Sequence, residues 1–154
     1  MKFNKSHNFA PSAPDALKLA GFKVLYPYLE PRLLNTYGSK IAPFVREKLN
    51  DAVQFRFSGD MANEFKCLED AHVLGQQSTC WHTTVHIEMM LWGLRNMALK
   101  QVMGQIVRIV GALTKTAIGL VPEGNTGGVD VSPFRPMPVR PDLKEIISRA
   151  RASA

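Results

Sequence analysis

The chain has 154 residues, of which 45% are hydrophobic and 21% charged, with a mean hydropathy of −0.08. This length and composition predict a single globular domain and exclude a disordered chain, and two cysteines are too few for a disulfide-stapled miniprotein. The formal charge of +6 lies in the flanks, because residues 61–128 hold five basic and five acidic residues. No element concentrates the basic residues, so we expect no nucleic-acid partner.

The start of the chain has no apolar run of the kind that a signal peptide requires. The most apolar stretch, residues 102–121, is interrupted by Arg108 and Lys115, and charges at bilayer depth are costly. We therefore expect no membrane span and a cytoplasmic location, where Cys67 and Cys80 would stay reduced.

Residues 1–40 contain four prolines and scattered aromatic residues, which predicts an irregular N-terminal extension. From Ile41 to Phe57, apolar residues recur at steps of three and four, as in an amphipathic helix. Gly59 suits the left-handed residue that ends a helix, and Asp60 suits the cap of the next one. Residues 41–154 are therefore predicted to form one helical domain.

Two further helices are predicted, from Met61 to about Leu74 and from a cap at Ser78 or Thr79 to about Leu94. A fourth is expected over residues 98–120. Its apolar residues should form the buried face: Leu99, Val102, Met103, Ile106, Ile109, Val110, Leu113 and Ala117. The opposite, polar stripe should be Gln101, Gln105, Arg108 and Lys115. Gly104 and Gly111 lie two turns apart and would let a neighbouring helix approach closely.

The last part of the chain is rich in turn-forming residues. Residues 121–128 form a glycine-rich turn, and four prolines keep residues 133–141 extended. Asp142 and Glu145 have the spacing of a capping box, which predicts a short last helix. No segment shows the alternation of apolar and polar residues with period two that a strand would have, so the predicted fold is all-α. The turns of the two helical hairpins, at Gly59-Asp60 and Arg95-Asn96, lie about 36 residues apart, which suggests a tetratricopeptide-like stack.

Three of the four histidines fall within fifteen residues, at His72, His82 and His86. If the second and third helices are antiparallel around a loop near residues 77–78, His72 faces His82, and Glu69 faces His86. Each pair within a helix, at i, i+3 or i, i+4, shares one face. Imidazoles and a carboxylate suit Zn²⁺, Fe²⁺ or Cu²⁺, so these four residues are candidate ligands of one transition metal.

Three interpretations of this cluster remain open. It is a metal site, with Asp70 and Glu88 as supporting groups, or a structural polar cluster without a ligand, or an acid–base site in which Glu69 orients a histidine. Cys67 and Cys80 point away from the cluster on their helices and are expected to pack as small hydrophobic residues.

The glycine loop at Gly124, Asn125, Thr126, Gly127 and Gly128 is a candidate binding site for an anionic cofactor group, since its backbone N–H groups could form an anion nest. It lacks the Gly-Lys-Ser/Thr ending of a phosphate-binding P-loop. A tight turn is the alternative interpretation. In a third, the loop folds over the histidine cluster and closes it.

Several motifs resemble a small bacterial family known only as a domain of unknown function. They are Leu68 to Gln76 (LEDAHVLGQ), His82 and His86, Gly104-Gln105 with Arg108, Pro122 to Gly128 (PEGNTGG), and Pro136-Met137-Pro138. Together they cover about residues 45–143. The resemblance implies a helical, tetratricopeptide-like fold and no particular activity. It also implies that Glu69, the three histidines and the glycine loop belong to one pattern.

The function predicted from the sequence is the binding of one transition metal between the second and third helices. The alternative is a non-enzymatic interaction module that presents a groove to a protein partner, with a structural histidine cluster. Binding of one metal ion requires that ring nitrogens of the three central histidines lie within about 5 Å of one another.

Overall fold

The computed structural model describes residues 35–116 and 121–152, except for the side chain of Lys115. Residues 1–34 of the predicted irregular extension lie outside the described part of the chain. Ala117 and Leu120, which the sequence placed in the fourth helix, also lie outside it. The described residues contain five helices and no strand: α1 Thr36–Ser58, α2 Met61–Gly75, α3 Thr79–Arg95, α4 Leu99–Lys115 and α5 Pro141–Ala152. The predicted all-α class is confirmed.

Helix α1 begins five residues before Ile41, where the regular apolar spacing starts. Asn35 caps it, because its side-chain oxygen accepts a hydrogen bond of 2.7 Å from the backbone N–H of Gly38. The end of α1 follows the prediction: Gly59 adopts a φ of 75°, and the Asp60 side chain caps α2.

The helices form two antiparallel hairpins. In the first, the Tyr37 hydroxyl near the start of α1 donates to the carbonyl of Leu74 near the end of α2. In the second, Gly93 near the end of α3 lies against Val102 near the start of α4. Helix α2 packs on α3, and α5 lies across α1 and α2. The buried Trp81 on α3 joins the two hairpins, since its indole N–H donates to the carbonyl of Gly38.

A buried ion-pair network lies where α1, α2 and α3 meet, at the end of the hairpins away from the loop between α2 and α3. The carboxylate of Glu64 is only 2% exposed and lies 2.7 Å from Arg56 Nε and 2.6 Å from Arg95 Nη2. Arg56 also reaches Glu88 on α3 at 3.5 Å. Glu88 therefore belongs to this network, and the prediction that it supports the histidines is wrong.

The face of α4 that packs on the core is opposite to the predicted one. Gln105 on its polar stripe is completely buried and Gln101 is 6% exposed. Several residues of the expected buried face are instead exposed: Leu99, Met103, Ile106, Val110 and Leu113. The apolar spacing marks one face of a helix, but whether that face meets the core depends on the partners that the tertiary structure provides.

Two other local predictions are corrected by the structure. A Cβ at Gly104 would lie 2.2 Å from Val129, so this glycine lets the loop after α4 approach closely, whereas Gly111 faces open space. Neither accommodates a neighbouring helix. Asp142 does not form a capping box: α5 begins at Pro141, a favoured first helical residue, and Asp142 pairs with Arg140.

Among the described helices, none combines the length and the apolar content that crossing a bilayer requires.

Candidate metal centre

The three central histidines form one buried cluster between α2 and α3. His72 is 2% exposed, His86 2% and His82 7%. Their ring centroids are 4.6–4.8 Å apart, and one candidate ligand atom from each lies within 4.8 Å of the other two. This meets the distance that one metal requires, and it confirms the antiparallel register that placed His72 opposite His82.

Glu69 does not join this group of three. Its carboxylate lies beside the glycine loop, where a Cβ at Gly128 would be 3.2 Å from Oε1. Burial raises the pKa of Glu69, an effect partly offset by the Thr126 hydroxyl. Asp70, predicted as a supporting group, pairs instead with Arg140 at 2.9 Å. The free thiols of Cys67 and Cys80 are also outside the cluster, and Cys67 packs against the hydrophobic core.

The glycine loop folds over the histidines, as one of its three interpretations expected. The carbonyl oxygen of Asn125 accepts a hydrogen bond of 2.8 Å from His72 Nδ1. Gly127 has a φ of 80°, and a Cβ there would lie 2.8 Å from the His72 ring, so only glycine fits without displacement. The Gly127 N–H donates to the Asn125 side chain and is therefore not directed at a ligand as in an anion nest.

A side chain that the sequence placed on the outer stripe of α4 orients His86. Gln105 Oε1 lies 2.6 Å from His86 Nδ1, while Gln105 Nε2 donates to the carbonyl of Gly127 at 2.9 Å. At the end of the same helix, Thr116 Oγ1 lies 2.5 Å from His82 Nδ1. The sequence contained one signal for this role, because Gln105 and Arg108 stand among the family-like motifs together with His82 and His86.

The partners of His72 and His86 determine which nitrogen of these two rings carries the proton. A carbonyl oxygen only accepts, so Nδ1 of His72 donates to Asn125. Gln105 must present its oxygen to His86, because its nitrogen already donates to Gly127, so Nδ1 of His86 is also a donor. In the neutral imidazoles, both Nε2 atoms therefore carry lone pairs, and these two atoms lie only 3.2 Å apart.

The surroundings of the cluster keep all three imidazoles neutral. Burial, together with the neighbouring histidines, lowers the pKa of His72 far below its ordinary value of 6.5. Burial lowers the pKa of His82 to about 4 and that of His86 to about 3, and the positive charge of Arg108 acts in the same direction. Neutral imidazoles are the form that binds metal ions.

Three histidines on two antiparallel helices, oriented by amide and carbonyl groups and covered by a glycine loop, define an all-α protein with a buried imidazole site. The chain belongs to the family described as "Protein of unknown function (DUF3703)", whose model matches residues 39–147. This range includes the whole cluster and confirms the resemblance to a domain-of-unknown-function family. No curated protein and no solved structure matches the chain.

Proposed function

We propose that the protein binds one divalent transition metal ion through His72, His82 and His86. The observation that carries this proposal is the pair of Nε2 atoms 3.2 Å apart. In the neutral tautomers that the Nδ1 partners of the two rings favour, both Nε2 atoms carry lone pairs, which repel each other. Two nitrogens bound to one zinc ion at about 2.0–2.1 Å in tetrahedral geometry lie roughly 3.3 Å apart. A metal ion would convert this electrostatic repulsion into two coordinate bonds.

The third ligand in this proposal is the Nε2 atom of His82. Its Nδ1 is engaged by Thr116, which leaves Nε2 for the metal. Each of the three ligands then has a hydrogen-bond partner at Nδ1. Such partners fix the orientation of metal-bound histidine rings. A site of imidazoles alone suits zinc, copper, iron or nickel, and three protein ligands leave a fourth position open.

Glu69 is not one of the three ligands in this proposal. The sequence predicted Glu69 as one of four ligands, and substitution tests that prediction separately from the histidines. A Glu69→Gln variant should retain one metal ion per chain, because the three imidazoles suffice.

The experiment is elemental analysis of protein purified without a histidine tag, followed by titration with Zn²⁺, Cu²⁺ and Fe²⁺ in turn. We expect one ion per chain. The double variant His72→Ala, His86→Ala should lose it and keep its helical circular dichroism, whereas the control His7→Ala, which changes the fourth histidine of the sequence, should retain it. A protein that neither contains nor takes up any of these metals would contradict the proposal.

A second candidate function is favoured by the exposed face of α4. Leu99, Met103, Ile106, Val110 and Leu113, which we call the α4 seam, are 44–68% exposed and follow one another at steps of four, three, four and three. This spacing is typical of helices that pair with another helix. Together with Val107, which is 70% exposed, the α4 seam forms a strip of exposed apolar residues on one helix, and such patches mark interaction surfaces.

We propose that the partner of the α4 seam is a second copy of this chain. The seam carries no charge, so two copies bring no like charges together along it. Met97 and Phe134 are further exposed apolar residues, at 80% and 69%, and a standard interface buries roughly 800 Å² per partner. In this proposal the interaction uses the outer face of α4, whereas the alternative predicted from the sequence was a groove presented by the helical hairpins.

Light scattering on a size-exclusion column tests this second function. We expect a dimer for the wild-type protein and a monomer for the double variant Ile106→Glu, Val110→Glu. Phe57→Glu, at a residue of α1 that is 51% exposed, introduces the same charge elsewhere and should stay dimeric. A wild-type protein that remains monomeric at every concentration tested would rule the dimer out.

A further inference from the structure

A cavity of about 170 Å³ opens beside the three histidines. All three imidazoles line it, and residues of α4 and of the loop after it form the remaining walls. Engineered cavities of about 150 Å³ hold benzene, so this volume fits a ligand with about six non-hydrogen atoms.

Among the described residues that line the cavity, Arg108 is the one that carries a charge. Its Nη2 donates to the carbonyl oxygens of Gly128, at 2.9 Å, and Val131. Within residues 35–116 and 121–152, no carboxylate pairs with Arg108, and burial lowers the pKa of its guanidinium without an opposing acid. A half-buried cation whose partners are uncharged carbonyls attracts an anion to the cavity.

The rest of the cavity wall is mainly apolar. Val107 and Ala112 come from α4, and Pro133 and Phe134 come from the extended segment opposite. Such walls favour a ligand with an apolar body and a single charged end. An inorganic anion would leave the apolar walls without contacts.

We propose that the cavity binds a small carboxylate whose charged end lies between the histidine-bound metal and Arg108. The proposal rests on the proposed metal function, because the carboxylate supplies an oxygen to the fourth position that three histidines leave open. Its short hydrocarbon body packs against Val107, Ala112 and Pro133. The substrate or effector class is therefore a monocarboxylate of about four carbons, which has the six non-hydrogen atoms that the cavity volume fits.

The test uses protein loaded with Co²⁺, whose visible spectrum reports a change in ligands, and butyrate as the probe. Cobalt content is measured first. We expect saturable spectral changes with butyrate and none with 1-butanol or butylammonium. Arg108→Gln should weaken butyrate binding at least tenfold, whereas Arg108→Lys, which disturbs the same carbonyl contacts but keeps the charge, should weaken it less than threefold.

A second pair of variants tests the cavity itself. A Cβ at Gly111 would meet nothing within 4 Å, so Gly111→Leu can extend into the cavity while Gly111→Ala leaves most of it empty. We expect the leucine variant to bind cobalt and lose butyrate, and the alanine variant to bind both.

The outcomes separate this proposal from the one on which it rests. A wild-type protein that binds neither cobalt nor any of Zn²⁺, Cu²⁺ and Fe²⁺ would overturn the metal function and this proposal together. Full cobalt loading without any response to butyrate, or equal butyrate affinity in Arg108→Gln and the wild type, would overturn only the carboxylate site. Butyrate binding that survives Gly111→Leu would place the ligand outside the cavity and would also overturn it.

Discussion

Gln105 and His86, on the facing helices α4 and α3, are joined by a hydrogen bond of 2.6 Å in which the imidazole is the donor. The glutamine is completely buried, and its amide nitrogen donates to the carbonyl of Gly127. A single side chain therefore fixes the protonated nitrogen of a candidate ligand and the position of the loop that covers the cluster.

Substitution of Gln105 should weaken metal binding without removing a ligand. In Gln105→Leu, His86 loses its acceptor and the Gly127 carbonyl loses its donor, so we expect metal affinity to fall by about 10–100-fold. Competition with a chromogenic chelator measures this. Gln101→Leu, one turn earlier on the same helix and also buried, is the control and should bind metal as the wild type does. Equal affinities for the two variants would argue against an orienting role for Gln105.

The close contact between Gly127 and His72 predicts a specific effect of a methyl group. In Gly127→Ala, the new Cβ would lie 2.8 Å from the imidazole, so the loop or the ring must move, and we expect weaker metal binding. Gly59→Ala is the matched control, because Gly59 has a similar φ of 75° but nothing within 4 Å of a Cβ. The Gly59→Ala variant should lose about 1 kcal/mol in the free energy of unfolding through backbone strain alone. Its metal affinity should be unchanged. Chelator competition and urea unfolding on both variants separate the two effects.

The buried histidines should make the metal-free protein less stable in acid. In the unfolded chain these groups titrate near pH 6.5, whereas in the folded protein the pKa of His82 is about 4 and that of His86 about 3. Below about pH 6.5, the unfolded state therefore binds more protons, and the free energy of unfolding falls with falling pH until the folded state is protonated as well. Between pH 7 and pH 5 we expect a loss of about 1–2 kcal/mol for each of these two histidines.

Urea unfolding of the metal-free protein at a series of pH values checks this. The double variant His82→Gln, His86→Gln should show a flatter profile over the same range. Burial raises the pKa of Glu88, which acts in the opposite direction, but Glu88 is present in both proteins and cancels in the comparison. A wild-type protein that gained stability between pH 7 and pH 5 relative to the variant would refute the prediction.

The ion-pair network around Glu64 should stabilise the fold without affecting metal binding. Glu64→Gln removes the charge that neutralises Arg56 and Arg95. Breaking a buried pair typically costs 3–5 kcal/mol, and since these arginine side chains are 21% and 27% exposed, water reduces the cost to about 2 kcal/mol. Glu145→Gln, which changes an exposed ion pair with Arg149, should have almost no effect. Chemical unfolding measures both, and a loss of metal binding in Glu64→Gln would contradict the separation of the two sites.

The histidine cluster could be predicted from the sequence because its geometry depends on local rules. Helical spacing puts His82 and His86 on one face, and the short loop between α2 and α3 makes the helices antiparallel, which places His72 at the same level. The glycine at position 59 and the aspartate at position 60 mark the preceding turn for equally local reasons.

These local rules do not predict the partners of Glu69 and Glu88. Glu69 has the i, i+3 spacing that would put it beside His72, and Glu88 follows His86 by two residues, yet Glu69 lies beside the glycine loop and Glu88 pairs with Arg56. A helix face is broad enough for neighbouring side chains to turn toward different partners. Which partner they meet depends on residues distant in the sequence.

Capping, apolar spacing and loop length act over a few residues, so the helices, their hairpin connections and the level at which three histidines meet could be predicted from the chain. The burial of the α4 glutamines, the exposure of its apolar stripe and the closure of the loop at Gly127 over His72 could not. The physical reason is that the buried amides of α4 satisfy the hydrogen-bonding groups of the histidines and the loop, whose positions come from segments distant in the chain.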